Sequence, residues 1–225
     1  MTLLTQDDHA RIAQAVGAAE AKTTGEIVCI ITKEVSEYRE TPLAWAAAAA
    51  LLLPPIAVLM GFDPSSYIPR TSWSAAGATP PLIETIALYA AVQGVVLVAV
   101  VFVVMIPAVR RAVTPGTLKA HRVHKAAMTQ FLATGIASES NRTGVVIFAS
   151  MADRKVEVLA DKGIHDAVGD AVWARTVEAV QAGMKRGEPG AGFVAAVGIC
   201  GEALAQHFPS TGPRANALAD GPIEL

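Results

Sequence analysis

The densest set of metal-competent side chains in this chain lies at residues 161–170, DKGIHDAVGD. Asp161, Asp166 and Asp170 offer hard oxygen ligands for a divalent cation, and Gly163 would let a backbone carbonyl approach one. Asp166 and Asp170 are four apart, so a continuous helix would put them on one face. A plainer use competes, because aspartates near a helix start favour its dipole and Asp161 is placed to cap. His165 beside Asp166 could move a proton, or simply sit solvated at a helix start. His121 and His124, three apart in HRVHK, would make half a zinc site, yet they read better as part of a basic helix. His207 falls where a cation suits a helix end, with Phe208 beside it to dock on a core. Arg142 opens a strand and could hold a phosphate or pair with a carboxylate. Asn141-Arg142-Thr143 fits a glycosylation acceptor, which has no meaning in a cytoplasmic segment. No nucleophile elbow, phosphate loop or zinc cluster stands in the sequence.

The elements that must position these residues are dominated by two apolar runs. Residues 43–62, LAWAAAAALLLPPIAVLMGF, and 82–107, LIETIALYAAVQGVVLVAVVFVVMIP, contain no charge except Glu84. Each has about the length a helix needs to cross ~30 Å of hydrocarbon at 1.5 Å per residue. A core helix of a soluble domain keeps a polar stripe, whereas Ile86 to Ile106 offers only Tyr89, Gln93 and Gly94 on any face. The first run is alanine-rich and carries Pro54-Pro55, which should kink it. Some forty charged, patterned residues precede it, so a cleaved signal is not expected.

Arg110, Arg111, Lys119, Arg122 and Lys125 follow the second run and Lys33 and Arg39 precede the first, while 63–81 holds only Arg70. That asymmetry predicts a two-helix hairpin with residues 63–81 outside and both termini cytoplasmic. Cys29 and Cys200 then read as buried thiols in a reducing compartment. A net charge of −2 and a pI near 6.2 argue against a nucleic-acid partner. The basic cluster suits anionic headgroups, and the expected partner is the lipid bilayer.

The remaining residues read as two fragments of one domain, 1–42 and 108–208. Thr5 to Lys22 has the pattern of an amphipathic helix with a Thr5/Asp8 capping box, and Ile12, Val16 and Ala19 form its apolar face. Residues 26–32, EIVCIIT, form a β-branched run expected to be a buried strand. One helix and one strand cannot bury a core, so EIVCIIT must pair with GVVIFAS beyond the hairpin. Leu118 to Gly135 is expected as a helix capped by Gly135, with Val123, Ala127, Phe131 and Leu132 inward. RTGVVIFAS and RKVEVLAD follow as a strand hairpin around Met151-Ala152-Asp153. Helices are then expected over Ile164–Arg186 and Ala191–His207, split by RGEPGAG. The sum is α/β: a small α/β sandwich, a central sheet flanked by helices, interrupted by the transmembrane hairpin. Residues 209–225, rich in Gly, Pro, Ser and Ala, are expected to be a disordered tail.

The segments TGEIV (24–28), NRTGVVIFAS (141–150), RKVEVLADKGI (154–164), Trp173 and LAQHFP (204–209) resemble the TPM domain family, in its bacterial membrane-protein branch where two transmembrane helices split the domain. The resemblance implies an α/β sandwich, in a family some of whose members bind calcium or show acid phosphatase activity. It aligns Asp170 with the family's aspartate after a glycine-rich turn. Where calcium-binding relatives tend toward Gly-x-Gly, this chain has Asp161-Lys162-Gly163. Any calcium held near Asp170 should therefore be weak, on the order of 10⁻⁴ M or poorer.

The leading functional expectation is a membrane-anchored cytoplasmic binding or assembly module at the bacterial inner membrane, because the scattered carboxylates and Arg142 do not force a catalytic constellation to form. The alternatives are a metal-dependent phosphatase-like hydrolase and a small transporter or channel subunit. The second of these is disfavoured by the lack of ionisable groups inside the runs.

Overall fold

The computed structural model describes residues 2–62, 82–134, 144–210, 212 and 220–225. These divide into two compact units, residues 1–36 with 116–225, and residues 37–115. The Gly135 cap, the Asn141-Arg142-Thr143 site and the loop 63–81 lie outside the described residues.

The first unit is the α/β domain. Helix α1 (Gln6–Glu20) starts as its pattern predicts: Thr5 accepts from the Asp8 N–H at 3.1 Å and the Asp8 carboxylate accepts from the Thr5 N–H at 3.0 Å. Strand β1 (Glu26–Thr32) pairs parallel with β2 (Gly144–Ser150) along its whole length, from Glu26 opposite Gly144 to Thr32 opposite Ser150. Strand β3 (Lys155–Ala160) returns antiparallel to β2 through the tight turn at Met151–Arg154. The sheet order is β3-β2-β1-β4, the last strand being Ile223–Glu224.

Every residue of β1 and β2 is buried because the sheet is covered on both faces. The strand alternation divides their side chains. Ile27, Cys29, Ile31, Val145, Ile147 and Ala149 join Ile12 and Val16 of α1 and Phe193, Val197 and Leu204 of α8 (Pro189–His207). Val28, Ile30, Val146 and Phe148 meet Val123, Ala127 and Phe131 of α5 (Gly116–Ala133) on the other side. Helix α7 (Asp170–Arg186) packs on α8 where two glycines meet. A Cβ on Gly183 would lie 2.6 Å from the Gly192 Cα, so neither position admits a side chain without separating the helices.

Two expectations need correction. Residues 164–186 are not one helix, because Gly169, at φ 82° and ψ 155°, ends α6 (Lys162–Val168) and begins α7. The final stretch is not wholly unstructured either. Pro209 bridges Thr23, and Ile223–Glu224 add to the β1 edge. Its Gly/Pro-rich composition conceals a two-residue strand, Ile223–Glu224, too brief to show a period.

In the second unit, α2 (Glu40–Leu59) runs unbroken through Pro54 and Pro55, and α3 (Leu82–Met105) packs against it. A break at Ile106 leads into α4 (Pro107–Val113). The base of the pair is closed by the Trp45 indole N–H donating to the Val113 carbonyl at 3.1 Å and by Thr41 and Thr114 hydroxyls 3.3 Å apart. Two helices long and apolar enough to span a membrane are thus present. The small residues Ala46 and Ala50 of α2 are buried. Thr85, Ile86 and Tyr89 share a groove with Pro55–Phe62, which sets that end of α3 well past Ala50. A Cβ on Gly94 would meet nothing within 4 Å.

Candidate functional site

The aspartates of 161–170 are positioned by three elements rather than one. Asp161 precedes α6, and its carboxylate turns back to accept from the Gly144 N–H at 3.1 Å, while the Asp161 N–H donates to the Gly144 carbonyl at 3.0 Å. It thereby closes the open end of the β2/β3 ladder. Asp166 is exposed on α6 and Asp170 opens α7, on the other side of the Gly169 break. The assumption of a shared helix face fails for that reason. Among the described residues no three His, Cys, Asp or Glu side chains group as metal ligands. Asp161 thus holds a backbone amide, while Asp166 and Asp170 stand on separate helices.

What the junction does assemble is a small polar cluster. His165 stacks on Trp173, with ring centroids 6.4 Å apart and planes 12° from parallel, and its Nε2 lies 3.7 Å from Asp170 Oδ1. Trp173 is buried, and its buried indole N–H has no hydrogen-bond partner among the described residues. Asp170 is almost fully exposed, so the His165–Asp170 contact is screened and orients the imidazole more than it stabilises the fold. His124 is tied to the sheet: its Nδ1 sits 2.7 Å from Glu157 Oε1, linking α5 to β3.

A cleft of ≈ 370 Å³, lined by Met151, Arg154, Gln181, Met184 and Lys185, opens where β2 ends and α7 finishes. Ligands of open α/β sheets gather at such carboxyl ends of parallel strands. Arg154 holds φ 52°, a conformation uncommon for a residue with a side chain. The buried Asp153 beside it accepts from the Ser150 hydroxyl at 2.6 Å, fixing the turn. Two cations, an amide and two thioethers suit a small anion with an apolar body. Arg154 and Lys185 are 31 residues apart, so no spacing signal pointed to the cleft.

The thiols lie buried in the core. Burial pushes Cys29 well above the ordinary thiol range, with neighbouring Cys200 and Glu20 adding to it. Burial also raises Cys200 to about 11 despite the Thr176 hydroxyl 3.4 Å away. At the opposite end of the sheet, the Thr23 hydroxyl and the Thr24 N–H both donate to the Phe208 carbonyl, at 2.6 and 2.9 Å. The distant segments TGEIV and LAQHFP therefore meet, and Phe208 packs on the core as expected.

The family model of the TPM domain matches residues 99–203. The chain carries a TPM domain. The matched stretch begins inside α3 and ends in α8, and the sheet it contains is extended by a strand that precedes the apolar helices: β1 lies hydrogen-bonded between β2 and β4. Among solved structures, the NMR structure of BA42 protein from the psychrophilic bacterium Bizionia argentinensis is similar at TM-score 0.56 and 19% identity. The similarity covers 98% of this chain and 94% of that one, and shares the fold. Comparison with curated proteins finds no match.

Proposed function

We propose that this TPM-domain protein is a membrane-anchored binding or assembly module. Helices α2 and α3 would cross a bacterial inner membrane as a hairpin, with the α/β unit and both termini in the cytoplasm. The observation that carries the reading is the outward apolar surface of α2 and α3. In its most apolar 18-residue stretch α3 has no buried residue, and α2 has 22%, where the core helix of a soluble protein would be mostly buried. The basic residues from Arg110 to Lys125 support the orientation.

Reporter fusions at Ser72 and after Leu225 test the topology. They should report opposite compartments, and the same compartment for both overturns the hairpin.

A further inference from the structure

Strand β4 shows in atomic detail what the edge of β1 recognises. Ile223 and Glu224 pair with Ile30 and Ile31, the Leu225 N–H donates to the Ile31 carbonyl at 2.9 Å, and the Thr32 hydroxyl donates to the Leu225 carbonyl at 3.2 Å. The Glu224 carboxylate is held by three donors that do not belong to the sheet. The Leu3 N–H reaches one oxygen at 3.1 Å and the Leu4 N–H the other at 3.2 Å, while His9 Nε2 lies 2.8 Å from the latter. Burial opposes ionisation of Glu224, but the bonds from His9 and the two amides outweigh it and hold the carboxyl below its ordinary value. Pro222 is buried, and Asp220 lies so close to α1 that a Cβ on Gly17 would come within 2.9 Å of its carboxylate. The seat is short at its other end, because the Ile27 N–H is taken by the Glu20 carboxylate at 2.9 Å. These contacts amount to a backbone ladder for register and a three-donor pocket for one acidic side chain, the pattern of strand addition to a sheet edge.

The strand pairing of this segment with its own chain is short. Its ladder spans two residues, and Ile223 and Leu225 are 38% and 53% exposed. Nine residues, 211–219, separate it from Ser210, whose N–H is fixed to the Lys22 carbonyl at 3.0 Å. We propose that the β1 edge, the Leu3 and Leu4 amides and His9 form a seat for an extended apolar–glutamate–apolar segment, and that residues 220–225 of a second copy of this chain occupy it by strand exchange. Exchange leaves every contact at the seat chemically unchanged, so it costs only the encounter of two copies, the condition under which strand swapping occurs.

The test uses two populations of the full chain with different tags, mixed in detergent, together with the chain lacking residues 220–225. The full-length populations should capture each other, and removing 220–225 from both should reduce capture about tenfold or more. A labelled peptide Asp-Gly-Pro-Ile-Glu-Leu should bind the 1–219 chain. Its form with Gln for Glu should bind about tenfold more weakly, because the charge-assisted bonds are lost. Capture that survives loss of the segment, or a folded 1–219 chain that ignores the peptide, overturns the proposal. If 1–219 does not fold, full-length Glu224→Gln takes its place. Its capture should fall with the circular dichroism unchanged, and undiminished capture again overturns the exchange.

Discussion

In the α/β unit Ile12, Ile30, Ile147, Phe193 and Leu204 have no surface left to water, whereas in the 37–115 unit Leu51, Leu59, Leu82 and Phe102 are each more than 60% exposed. The residue types are the same and their placement is opposite. In the first unit a sheet with helices on both faces gives each apolar side chain a partner, and removal from water drives the packing. In the second, two helices of nearly uniform hydrophobicity bury only a narrow seam of small residues and leave the rest facing outward. Hydrophobicity that exceeds what a fold can cover calls for an apolar surrounding.

The comparison breaks most readily with a charge. Ile30→Asp puts a carboxylate between the sheet and α5 and should unfold the α/β unit altogether, a loss of several kcal/mol. Leu52→Asp, on an exposed face of α2, should leave that unit folded while opposing membrane insertion by about 3 kcal/mol. Circular dichroism with membrane flotation reads both. A folded Ile30→Asp protein would mean that the core does not lie where the burial puts it.

Glycine substitution gives a finer contrast. Gly183→Ala should cost about 1–3 kcal/mol in thermal or urea unfolding, since its Cβ meets the backbone of Gly192 and the Glu188 carbonyl. Gly94→Ala, with open space around it, should change stability by about 0.5 kcal/mol or less.

Acid gives a third test. Because the folded-state carboxyl of Glu224 is lowered, its contribution to docking β4 is complete above the ordinary value of 4.5 and disappears as pH falls through the lowered one. Hydrogen exchange at the Leu225 amide, paired to Ile31, should quicken relative to that of β2 in that acidic window. An unchanged ratio would mean that the carboxylate does not hold the strand.

The smallest effect is expected at Asp170. Asp170→Asn should leave stability within about 0.5 kcal/mol, and micromolar calcium should shift the unfolding temperature of neither form. Robust metal-dependent turnover of a phosphomonoester, lost in this variant, would replace the binding-module reading with a hydrolase.

Much of this protein was legible without coordinates. The apolar runs, the Thr5/Asp8 capping box, the span of β1 and its pairing with β2 across more than a hundred residues all follow from local pattern and from the need to bury a strand apolar on both faces. Other features depended on contacts that no sequence period encodes. One glycine at positive φ parted Asp166 from Asp170, because a single backbone dihedral outweighs i, i+4 spacing. Asp161 turned to the Gly144 amide, which lies 17 positions away. The cleft joins Arg154 to Lys185, and Glu224 reaches amides at the opposite end of the chain. Hydrophobic periodicity records which face of an element is buried. Which distant polar groups then meet is decided by how those faces stack, and that is a property of the tertiary structure alone.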